Sequence, residues 1–192
     1  MIRFWKSSNA YDYMGSMYGT RIIITRDLID SFPDPIKRLG IFRTGQFILD
    51  GLCDRKKYGS LEQFRVTAIA LLFKDTMLLD LIAQEPDPRV LRGMATKIKN
   101  YMPAIWEHYA VDLMIIGNYL KYTQSQLLGR RLCDTGTKYL FEADPNALGD
   151  KLANVSGIAL AYVRALLQRS RESPRYYRAH GTRGARGTWG AI

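Results

Sequence analysis

Residues 103–122 read PAIWEHYAVDLMIIGNYLKY. Trp106, Tyr109 and Ala110, Leu113, Gly117 and Leu120 recur every three to four positions, the period of one helix face. Pro103 suits the first turn, where its missing N–H costs nothing. This stretch predicts the longest helix of the chain, with Trp106 near its start. The segments around it have the same period. Phe64, Ala68, Leu71 and Leu72 mark a helix beginning near Ser60. A short helix is predicted over roughly 76–83, and Val90, Leu91, Met94 and Ile98 mark another. Residues 125–132 read as a helix that stops at Gly136, and Ile158, Ala161, Tyr162 and Ala165 mark the last one.

Strand signals are few and short. Residues 2–5, the β-branched run in 21–25, the Phe47-Ile48-Leu49 run in 46–50 and residues 138–141 are predicted strands. Asp50-Gly51 and the two prolines of 31–35 read as turns, and residues 11–18 and 54–57 as loops. The fold class expected is α+β, predominantly helical, with a few short strands packed on a helical core.

Composition bounds the function. The 192 residues suit one domain with modest additions, and 47% apolar against 24% charged residues allow an ordinary core. No apolar run reaches the ~18 residues a membrane span needs, and residues 1–6 lack the order of a secretory signal. A cytoplasmic protein is expected. Cys53 and Cys133 are too few for a disulfide framework. With only His108 and His180 beside them and no CxxC, no metal site is expected.

The net charge is +10, and half of it lies in residues 169–192. There Arg169, Arg171, Arg175, Arg178, Arg183 and Arg186 stand against the single acid Glu172, among glycines and the aromatics Tyr176, Tyr177 and Trp189. Such a tail cannot bury enough apolar surface to fold alone, and it is suited to nucleic acid. The expected organisation is a domain over 1–168 and a basic tail over 169–192.

No nucleophile elbow, phosphate-binding glycine loop or HExxH is present. What remains is a set of carboxylates beside aromatics: Glu62 at a helix start, Glu107 after Trp106, Glu142 and Asp144. Paired carboxyl groups near an aromatic wall can activate water and stabilise an oxocarbenium-like sugar cation. Taken singly, each acid fits a solvated surface group and Trp106 fits a core residue.

The order of short motifs says more. Ile2-Arg3-Phe4-Trp5 and Tyr11 are followed by Ile48-Leu49-Asp50-Gly51 and by Tyr58-Gly59-Ser60-Leu61-Glu62-Gln63-Phe64. Then come the 88–94 segment, Trp106-Glu107, Lys121-Tyr122, Thr135-Gly136, Leu140-Phe141-Glu142, Asp144, Leu148-Gly149, and Asn154-x-x-Gly157 running to Val163-Arg164. Over 2–17 and 47–167 this order resembles the YbiA/NADAR N-glycosidase superfamily. The chain departs from the pattern at Met14-Gly15-Ser16-Met17, where an aromatic-Ser-Asn-aromatic loop is usual. Gln63 stands in place of a histidine and Leu148 in place of a tryptophan, and against the family pattern the domain over 1–168 carries an insertion at about 18–46.

The resemblance implies hydrolysis of an N-glycosidic bond in an ADP-ribosylated or ribosylamine-type substrate, with no metal or organic cofactor. It implies that Glu62 activates water or holds the ribose, that Asp144 stabilises the sugar cation and that Trp106 packs on the base. Tyr11, Ser16, Gln63, Gly149 and Asn154 are then the expected substrate-binding residues, and the basic charge points to a nucleic-acid-linked substrate. The alternative is a catalytically inactive relative that binds nucleic acid or serves an assembly.

Overall fold

The computed structural model of the chain describes residues 1–4, 10–143 and 154–172, with 171 and 172 through their backbone alone. Its described elements follow in order. They are β1 (Ile2–Phe4), a 3-10 turn (Asp12–Met14), β2 (Gly19–Ile23), α1 (Arg26–Asp30), α2 (Asp34–Lys37), α3 (Ile41–Thr44), α4 (Gln46–Arg55) and β3 (Lys57–Ser60). Then come α5 (Leu61–Leu72), α6 (Thr76–Gln84), α7 (Pro88–Ala95), α8 (Pro103–Thr123), α9 (Gln126–Cys133), β4 (Leu140–Glu142) and α10 (Val155–Glu172). The fold is α+β and mostly helical, as expected. Among the described residues no helix is long and apolar enough to cross a membrane.

α8 is the axis. From Leu113 to Tyr122 it is buried on nearly every side except at Tyr119, because α5, α9 and α10 all pack on it. Gly117 makes the approach of α5 possible: a Cβ there would stand 2.5 Å from Leu61 Cδ1 and 2.9 Å from Phe64 Cδ1. α5 is wedged between α4, α6, α7 and α8, so it too is buried around most of its surface. Ser60 caps α5, its hydroxyl accepting from Gln63 N at 3.1 Å. Thr25, Asp75, Asp87 and Ser125 cap α1, α6, α7 and α9 in the same way. Each such cap contributes about 1 kcal/mol.

The strands tie distant parts of the chain together. β1 pairs parallel to β4, with Ile2 opposite Leu140, and β2 pairs antiparallel to β3, with Ile22 opposite Tyr58. Residues 18–46 supply β2 and α1–α3 and join the same core: Ile22, Ile24, Ile29, Phe32, Ile36 and Ile41 are buried. The Phe32 ring meets Tyr119 of α8 edge-on at 5.4 Å, and Asp112 accepts from Ile41 N at 3.0 Å.

Three sequence expectations are corrected. Residues 46–50 are not a strand but the first half of α4. The run Phe47-Ile48-Leu49 is too short to tell a buried helix from a strand by pattern. Ile48, Leu49, Leu52 and Cys53 are buried together at helical spacing, while Phe47 is exposed. Gly51 is no turn residue: a Cβ there would lie 2.6 Å from Leu71 Cδ2, so it sets how closely α4 meets α5. Residues 57–60 form β3 rather than running from a loop straight into a helix, since β2 supplies a partner that local pattern cannot reveal.

Candidate active site

Glu62 lies in the first turn of α5. Its backbone N–H donates to Ser16 O at 2.9 Å, and its carboxylate accepts from Ser16 Oγ at 2.6 Å. One turn along α5, the Arg65 guanidinium meets the other carboxylate oxygen at 2.5 Å, and Arg92 of α7 approaches that oxygen at 3.6 Å. The Glu62 side chain is 0% exposed, against 12% and 19% for Arg65 and Arg92. The solvated-surface reading is thereby corrected. Burial pushes the Glu62 carboxyl up, but the Arg65 charge and hydrogen bond, the Arg92 charge and the Ser16 hydroxyl outweigh it. The net effect holds it below the ordinary carboxylate value.

The loop that brings Ser16 to Glu62 is gripped by α8 and α9. Tyr13 and Met14 point into the core. Tyr122 OH donates to Tyr13 O at 3.2 Å and Lys121 Nζ donates to Gly15 O at 3.0 Å. The Arg131 guanidinium donates to Ala10 O at 2.8 Å and lies over the Tyr13 ring at 4.0 Å. Ser16 is therefore presented by a loop with three side-chain anchors.

The other candidate residues have distinct surroundings. Gln63 points away from the carboxylate cluster. Its amide oxygen accepts from Gly59 N at 2.7 Å, and its nitrogen donates to Ile82 O at 3.0 Å and Glu85 O at 3.3 Å, tying the start of α5 to the end of α6. Trp106 is 2% exposed and belongs to the core. Tyr11 is half-buried at the head of the 3-10 turn. Asn154 sits at φ 70°; its side chain accepts from Glu142 N at 2.9 Å and donates to Leu140 O at 2.8 Å, clamping β4 to the start of α10. Arg164 of α10 donates to Thr135 Oγ1 and Lys138 O, both at 2.8 Å. Asp144 and Gly149 lie outside the described residues, as does Leu148. Of the tail arginines, Arg169 is exposed on α10, Arg171 is described through its backbone, and Arg175, Arg178, Arg183 and Arg186 lie outside the described residues.

Arg65, Arg92 and Lys121 are the side chains that single-residue reasoning passed over. Arg65 had a signal, since a cation three residues after a glutamate shares its helix face. Arg92 comes from another helix, and its approach to Glu62 is a product of the α5–α7 packing. Among the described residues no group of three or more His, Cys, Asp or Glu is placed to hold a metal ion.

A mostly helical α+β fold with a buried glutamate at the start of a central helix thus frames the comparison with known proteins. The family described as the NADAR domain matches residues 3–168, and the chain belongs to it. A protein of Acanthamoeba polyphaga mimivirus named as an N-glycosidase is 32% identical over 90 residues, covering 47% of this chain and 53% of that protein. The chain spans about half the length of that curated relative.

Proposed function

We propose that the chain hydrolyses an N-glycosidic bond between a ribose C1 and a base or amine nitrogen, in an ADP-ribosylated or ribosylamine-type substrate. The observation that carries this reading is the buried, arginine-held Glu62 carboxylate, in a chain of the NADAR family. As the C1–N bond lengthens, positive charge develops on C1 and the ring oxygen. A carboxylate kept ionised is suited to oppose that charge or to accept a ribose hydroxyl. It is less suited to take a proton from water, because a lowered pKa makes a weak base. Of the two roles the resemblance offers Glu62, holding the ribose is therefore the better supported. Asp144 is the residue left to steady the cation or activate water, whereas Trp106, held in the core, has no face open to a base. Water adds its oxygen to C1, and the nitrogen leaves with a proton.

The test is turnover on two substrates, an oligonucleotide carrying ADP-ribose on guanine and a pyrimidine ribosylamine phosphate, followed by chromatography with mass detection. The expected result is release of the sugar portion with an intact base or amine from at least one. Neither product at high enzyme concentration would favour a catalytically inactive, nucleic-acid-binding or assembly role. The +10 net charge with its arginine tail favours the nucleic-acid-linked substrate. Truncation after residue 170 should then weaken binding to single-stranded oligonucleotides and flatten its salt dependence, because each lost arginine–phosphate contact removes about one released counterion. Unchanged binding would assign the tail another role.

A further inference from the structure

Lys121 brings an amine into the interior of α8 and leaves it 1% exposed. A residue needed only to fill space there would be apolar, because burying a charged group is costly unless it is partnered. The amine donates to Gly15 O at 3.0 Å and lies 5.5 Å from the centres of both the Tyr18 and Tyr122 rings. Ser16, the next residue after that carbonyl, makes both contacts with Glu62, through its own carbonyl and its hydroxyl. A chain of short links thus runs from α8 through two loop residues to the carboxylate at the start of α5.

We propose that Lys121 is a positioning residue: by holding the Gly15 carbonyl it fixes the height and angle at which Ser16 meets the Glu62 carboxylate. The proposal rests on the reading of Glu62 as part of the active site. The rings of Tyr18 and Tyr122 suit a cation when the amine is charged. The acid that bears on the amine is Asp12 in the 3-10 turn, while Glu62 of α5 and Arg131 of α9 contact the loop. Burial is the main influence on the amine and lowers its pKa to about 7, with Asp12 opposing. The neutral and charged forms both donate to Gly15, but only the charged form must carry its charge inside. An opened loop exposes the amine to water and lets it protonate at its ordinary, higher pKa. The open state therefore binds more protons between about pH 7 and 10.5, so closure strengthens as pH rises through that window and is weakest below it.

The experiment is amide hydrogen exchange of residues 12–18, corrected for intrinsic rates, across pH 6 to 9.5, on the full chain and on Lys121→Met, with steady-state kinetics in parallel. The full chain is expected to gain loop protection as pH rises above 7. Lys121→Met should lose that slope and lose kcat on the order of 10²-fold, as a misaimed catalytic group does, with a much smaller change in KM. Ser16→Ala, which cuts the same chain one link later by removing a single hydroxyl, should reproduce the kcat loss while keeping the pH slope. If Lys121→Met does not fold, the Ser16→Ala kinetics and the full-chain slope decide. Loop protection independent of pH in the full chain, or full kcat in a folded Lys121→Met, would overturn the proposal. If the full chain turns over no glycosidic substrate, the glycosidase reading fails and the exchange arm still tests the Lys121 grip.

Discussion

Glu62→Gln is expected to abolish the proposed glycosidic turnover and to lower the unfolding free energy by about 3–5 kcal/mol, the cost of removing one partner from a buried ion pair. The carboxylate has no exposed surface, and its charge answers two guanidiniums that are themselves mostly buried. Glutamine keeps the shape but not the charge. It removes the charge that Arg65 and Arg92 share at Glu62 and gives the Ser16 hydroxyl a weaker acceptor. A solvated glutamate in a first helical turn would lose only about 0.3–1 kcal/mol through the helix dipole. Urea denaturation at pH 7 distinguishes the two magnitudes. The pH dependence has a definite sign. Because the folded-state pKa is lowered, the carboxylate's contribution is complete above the ordinary carboxylate range and is lost as pH falls through the lower folded value. The gap between the two proteins should therefore narrow on acidification. A constant gap, or a loss under 1 kcal/mol, would mean that the arginine contacts are not held in solution.

Gly157→Ala costs about 3 kcal/mol, the upper part of the range for overpacking, and lowers Tm by roughly 6–12 °C. An added Cβ would lie 2.2 Å from Leu140 O and 2.3 Å from both terminal atoms of the Asn154 side chain. Neither neighbour has room to yield. Leu140 O belongs to β4 and is held by Asn154, whose side chain also takes Glu142 N and whose carbonyl accepts from Ile158 N at 3.0 Å. Alanine at 157 must therefore pry α10 from β4, and β4 ends two residues before Asp144. A Tm within a degree of the parent, by thermal unfolding followed by circular dichroism, would show that this joint is looser than drawn.

How much of this was legible in the sequence differs from element to element. α5, α8 and α10 were readable because their apolar residues recur at helical spacing, with Ser60 and Pro103 marking the starts of the first two. α4 was not, because its short apolar run fits two periods and its glycine looks like a turn while in fact making room for Leu71. The family was legible in the order of weak motifs, and the NADAR match over residues 3–168 agrees with it. Glu62 was legible as a position, but its state was not. Two of its partners, Ser16 and Arg92, arrive from 46 residues before it and 30 after, and their meeting depends on packing rather than on any local rule. Asn154 and Gln63 were expected to touch substrate, yet their described hydrogen bonds are spent on backbone groups and, for Asn154, the Tyr139 hydroxyl.

The central claim is that Glu62 stands where the glycosidic bond is cut. The measurement that tests it most directly is a crystal structure of the full chain soaked with ADP-ribose, the product expected from an ADP-ribosylated substrate. The account predicts a ribose in hydrogen-bond contact with the Glu62 carboxylate or Ser16, with Arg65 and Arg92 still holding the carboxylate from behind. ADP-ribose seated elsewhere, over an unaltered Ser16–Glu62 contact, would contradict it.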